Sequence, residues 1–73
     1  MNLEEQHFLR ELGDRIRDIR QAQGLTQADL GKRCSLHRTF IGSVERGERN
    51  LSILNLRLIA RKLSASLEVL LRK

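Results

Sequence analysis

The chain has no proline, tryptophan or tyrosine, two phenylalanines and a single cysteine. Each absence excludes something. Without proline nothing forces a break inside a helix, and few runs of β-branched residues favour strands. With so few aromatic rings, the core must be built from Leu, Ile, Val and Ala. One cysteine rules out an intrachain disulfide framework and gives no reason to place the protein outside the cytosol. No apolar run approaches the roughly 20 residues that span a bilayer, and the opening MNLEEQHFLREL is too charged for a signal peptide. At 73 residues there is room for one domain with a modest core. The expectation is a small, cytoplasmic, all-α domain.

What the chain does have is charge, with a formal net value of +5 that favours an anionic partner. His7 and His37 are its histidines and Cys34 its thiol, in no metal-ligand spacing and beside no phosphate loop. No metal, cofactor, small-molecule effector or enzymatic activity is expected.

Residues 1–8 read as a frayed lead-in, and residues 9–73 as the domain. From Leu9 the apolar positions Leu9, Leu12, Ile16 and Ile19 recur at helical steps, between Arg10, Arg15, Arg17 and Arg20 on the charged side. Gly13 within this run weakens it, and Gly24 supplies a left-handed stop. Thr26 is an N-cap for a second, two-turn helix, with Asp29 as the acidic partner of a capping box. Leu30 and Cys34 face inward. Ser35, Leu36 and His37 form a short connection, anchored by Leu36, to a third helix over about Arg38–Arg46.

That third helix divides at about 100° per residue. Phe40, Ile41 and Val44 face the core, whereas Arg38, Thr39, Gly42, Ser43 and Arg46 form the outer side. This outer side is small and cationic, and Gly42 at its centre admits close approach of another surface or of a neighbouring helix. Such a face suits a groove of double-stranded DNA. Gly47 ends the helix and Glu48-Arg49-Asn50 makes a polar loop. Ser52 caps a fourth helix with an inward stripe of Ile53, Leu56, Ile59, Ala60 and Leu63, widened by Leu54 and Leu58. Ser66 caps a last helix over Leu67–Leu71. Leu67, Val69, Leu70 and Leu71 are too many apolar groups for one face of so short a helix, which points to a partner surface.

The stretch TQADLGKRCSLHRTFIGSVERGERN, residues 26–50, carries the pattern TQxxLxxxxxLxRxxIxxxExGxRN. Set between helices on either side, it resembles the lambda-repressor-like helix-turn-helix domains, the Cro/repressor or XRE-type group. HRTFIGSVERGERNLSILNL is particularly similar to the controller proteins of restriction–modification systems. The resemblance spans about Leu9–Leu71 and implies a compact five-helix bundle with helices two and three as the helix-turn-helix. It implies Arg38, Thr39 and Ser43 as readers of base edges, Arg being suited to guanine O6 and N7. Thr26, Gln27, Arg46, Arg49 and Asn50 become phosphate contacts, which set register but specify no sequence. It further implies an ion pair between Arg20 and Glu45, and a homodimer reading a pseudo-palindromic operator, joined through Leu67, Val69, Leu70 and Leu71. Departures from the pattern are Gly31 where Ala is usual, Ser35 and Ser64 where Gly is usual, and Phe40 where Tyr is frequent. Two other readings share the features: an antitoxin or adaptor that binds protein, and a basic amphipathic membrane binder. The second is disfavoured because the core needs each helix's apolar face.

Overall fold

Side-chain caps open all five helices of the computed structural model, which describes residues 1–72. Helix α1, Leu3–Ala22, starts on a capping box in which Asn2 and Glu5 each accept a backbone N–H from the other. The expected lead-in at residues 1–8 is therefore helical from Leu3 onward. Its first turns stand away from the body, with Leu3 83% and Phe8 38% exposed, so local capping rather than burial fixes this end.

Helix α2, Gln27–Cys34, opens on the expected box. Thr26 Oγ1 accepts from Asp29 N at 3.0 Å and Asp29 accepts from Thr26 N at 2.8 Å. The bond donated by the Thr26 backbone N–H, with a further contribution from the Thr26 side chain, holds the Asp29 carboxyl below the usual carboxylate range. Helix α3, Arg38–Glu45, is capped by His37, a role the sequence reading did not give it: its Nδ1 accepts from Thr39 N at 3.1 Å. Helices α4, Ile53–Lys62, and α5, Leu67–Leu71, start at Ser52 and Ser66 as expected.

Ile16 of α1, Leu30 of α2, Ile41 of α3, Ile59 of α4, Leu70 of α5 and the α4 cap Leu63 are all essentially without solvent contact. One aliphatic core thus joins every helix. Cys34 lies in it, and burial pushes its thiol up, as befits a small core side chain. Arg15 reaches across from α1 to the Leu70 carbonyl at 3.2 Å, and Gln23 to that of Leu63 at 2.7 Å.

Gly13, read as a weak point, and Gly31, a departure from the pattern, are both close contacts. A Cβ on Gly13 would lie 2.5 Å from the carbonyl oxygens of Val44 and Glu45, and one on Gly31 2.5 Å from that of Leu36. Gly13 brings α1 against the end of α3, and Gly31 lets the turn fold back over α2. Their propensity cost of about 1 kcal/mol each is the condition for packing α3 between its neighbours. Ser35 and Ser64 do take the left-handed conformation, with φ of 56° and 54°, where glycine would be less strained.

Candidate nucleic-acid interface

Helix α3 is only eight residues long, and Ile41–Glu45 are all buried. What remains outside is its first turn, where Arg38 and Thr39 are exposed. The capped amide of Thr39 and the inward packing of Phe40 and Ile41 hold that turn rigidly on the body.

Gly42 and Ser43, expected on the outer side, are not open. A Cβ on Gly42 would meet Gln27 Oε1 and Arg46 Nη1, both at 3.2 Å; side chains of the protein itself occupy the space read as free for an approaching surface. Ser43 is 9% exposed, and its hydroxyl donates to the Phe40 carbonyl at 2.7 Å while accepting from Arg49 Nε at 3.1 Å. Ser43 is therefore turned into the fold as a buttress for Arg49, not standing open on the outer side where it was expected. The Arg49 guanidinium also lies over the Phe40 ring, 5.0 Å from its centre, a cation–π contact. The ring of Phe40 thus has a use that its missing hydroxyl had hidden.

Glu45 organises the inner side of the site. Its carboxylate takes two bonds from Arg20, Nε at 2.6 Å and Nη2 at 2.9 Å, in a bidentate pair whose side chains are 8% and 2% exposed. The pairing raises the Arg20 guanidinium further above its ordinary value. Arg20 spends a third N–H on the Leu25 carbonyl at 2.7 Å, which ties α1 to the approach of α2. Gln27 then donates Nε2 to Glu45 Oε1 at 3.1 Å. The residue expected to meet a phosphate is therefore set in place by the buried pair, with its amide nitrogen on Glu45 and its oxygen over Gly42.

Arg46 points outward and pairs with Glu48, Nε to Oε2 at 3.0 Å and Nη2 to Oε1 at 3.2 Å, with both side chains more than half exposed. The pairing raises Arg46 and holds the Glu48 carboxyl below the usual carboxylate range. Thr26, Arg49 and Asn50 are exposed and Gln27 is half-buried. The resulting surface has the capped first turn of α3 in the middle and polar and cationic groups around it.

The four apolar residues expected at a partner surface separate. Leu70 is completely buried and Leu67 packs against the core, whereas Val69 and Leu71 are 41% and 38% exposed. Leu70 is thereby corrected to a core residue, because a five-residue helix packed on α1 and α4 must turn a residue inward. On α4, Ile53 and Leu54, expected inward, are 64% and 70% exposed. Leu54 and Leu58 line a shallow depression with Arg57 and Arg61.

Among the described residues no three His, Cys, Asp or Glu side chains gather as metal ligands, and no helix is long and apolar enough to cross a membrane. An open groove of about 1000 Å³ along the first turns of α1 touches the site only at Asn50.

The family model described as Helix-turn-helix matches residues 16–70. The control protein C.SmaI of Serratia marcescens is 40% identical over 62 residues, 85% of this chain and 74% of that protein. The crystal structure of the restriction–modification controller protein C.AhdI from Aeromonas hydrophila superposes with a TM-score of 0.82 at 39% identity, over 85% of this chain and 94% of that one. The controller protein C.Esp1396I, solved as a tetramer with its natural 35 base-pair operator, gives 0.78 at 40% identity over 86% and 83% of the two chains. With all-helical architecture, matched motif and relatives in agreement, the chain belongs to the Helix-turn-helix family of transcription regulators, in its restriction–modification controller branch.

Proposed function

We propose that this chain is a sequence-specific transcriptional regulator of the controller type, acting in the cytoplasm as a homodimer on a pseudo-palindromic operator. The observation that carries the reading is the first turn of α3. Arg38 and Thr39 stand exposed there on a helix whose last five residues are all buried, and α1 and α2 brace it from behind. A related controller solved with its natural operator supports DNA as the partner.

In this reading the first turn enters the major groove. Arg38 offers two parallel donors to a guanine, worth about 1–3 kcal/mol of discrimination, and Thr39 reads beside it. Gln27, held by Glu45, and the exposed Thr26, Arg46, Arg49 and Asn50 meet the phosphates on both sides. Their contribution is sequence-independent and falls with salt. Arg46 exchanges Glu48 for phosphate at little cost, since an exposed pair is worth little. The exposed Val69 and Leu71, together with Ile53 and Leu54, form the face between two copies. Dimerisation sets the two recognition helices about one helical turn, roughly 34 Å, apart.

Selection of bound sites from random double-stranded DNA tests the reading. The expected outcome is a symmetric site with two matching half-sites spaced by about one helical turn. Retention of DNA with no enriched sequence, at any salt concentration, would favour the protein-binding antitoxin or adaptor alternative.

A further inference from the structure

His37 is a variable position of the pattern written above, and both bonds of its side chain go to one residue of the reading turn. Its Nδ1 accepts the backbone N–H of Thr39 at 3.1 Å, and the Thr39 hydroxyl lies against the same nitrogen. A backbone N–H can only donate, so Nδ1 carries its lone pair and the ring proton sits on Nε2. The hydroxyl facing that lone pair must donate to it as well. The proton of the Thr39 hydroxyl is therefore used up inside the protein, and the lone pairs of its oxygen face outward.

We infer that His37 is a positioning residue for specificity: by taking the Thr39 hydroxyl proton, it makes Thr39 an acceptor that reads an exocyclic amine. In the major groove only adenine N6 and cytosine N4 present such a donor, whereas guanine O6 and N7 and thymine O4 are acceptors. A freely rotating hydroxyl would accommodate either kind, as serine and threonine ordinarily do. His37 converts a tolerant side chain into a selective one without touching the base itself. The inference rests on the proposed DNA-reading role of Thr39 and deepens it.

The test measures competition among operator variants differing at one base pair per half-site, using full-length wild type, His37→Ala, His37→Asn, Thr39→Val and the His37→Ala/Thr39→Val double variant. Thermal unfolding by circular dichroism checks that each is folded. Wild type should favour the amine-bearing base at one position by about fivefold, the scale of one net hydrogen bond. His37→Ala and Thr39→Val should each lose that preference, and the double variant should be no worse than Thr39→Val. His37→Asn keeps a short side-chain acceptor at the cap and should restore the preference.

Three results would overturn the inference while leaving the regulator reading intact. His37→Ala could weaken all sequences alike with the preference unchanged, which is the signature of a cap alone. The two substitutions could multiply, which would put His37 on the DNA independently. Wild type could prefer a base offering only acceptors at that position. A wild type that selects no sequence overturns both the regulator reading and this inference.

Discussion

Glu45 and Arg46 are neighbours in the chain, and each belongs to a bidentate arginine–glutamate pair of nearly the same geometry. Glu45 turns inward to Arg20, where both side chains are nearly dry, and Arg46 turns outward to Glu48, where neither is. Burial alone makes the first a joint between helices and the second an exchangeable contact. Two charges taken out of water hold each other tightly because neither has an alternative partner. In solvent the same pair contributes little, which leaves Arg46 available to a stronger anion. Leu70 and Leu71 repeat the contrast without charge: adjacent residues, one sealed in the core and one facing outward.

The largest expected effect is on the inner pair. Glu45→Ala leaves Arg20 buried without its counter-ion and should destabilise the fold by roughly 3–5 kcal/mol, measured by urea denaturation. Replacing both partners, Arg20→Met with Glu45→Leu, should recover most of that loss. Recovery would show that the penalty comes from the orphaned charge, and its failure would show that the links to Leu25 and Gln27 matter more.

Leu70→Ala should cost about 2–5 kcal/mol, as buried leucine truncations do. Leu71→Ala should leave the midpoint of unfolding nearly unchanged and weaken self-association in sedimentation. Equal losses of stability at the two sites would break the inside-outside assignment of α5.

Glu48→Ala should not change folding stability measurably and should raise DNA affinity a few-fold for every sequence, by freeing Arg46 and removing an anion from the interface. A drop in affinity would mean that Glu48 holds Arg46 in its binding position. The smallest effect is on pH. The Glu48 carboxyl is held below its ordinary range by Arg46, so the outer pair's small contribution is present above the unfolded-state value and lost as pH falls through the lowered folded-state value. Carboxyl NMR titration should show Glu48 protonating at lower pH in wild type than in Arg46→Ala.

The helix starts were legible because capping is local chemistry. Thr26 with Asp29, Ser52 and Ser66 announced their helices within four residues, and Gly24 marked a stop. What could not be read was which neighbour covers a given face. Periodicity placed Gly42 and Ser43 outside, correctly for an isolated helix, but the side chains of Gln27, Arg46 and Arg49 fold over them. It placed Ile53 and Leu54 inside, where the bundle has no partner for them. Gly13 looked like a propensity defect because the carbonyls it accommodates belong to a helix some thirty residues further on. His37 carried no signal as a cap, since histidine is not among the residues that favour that position.

The central claim is that the first turn of α3 reads bases while the arginines around it hold phosphates. Parallel site selection and salt titration of Arg38→Ala and Arg49→Ala test it most directly. Arg38→Ala should relax preference at one position per half-site and keep the salt dependence otherwise similar. Arg49→Ala should weaken all sequences alike and lower the salt slope by about one. Identical behaviour of the two variants, in both preference and slope, would contradict the division on which the account rests.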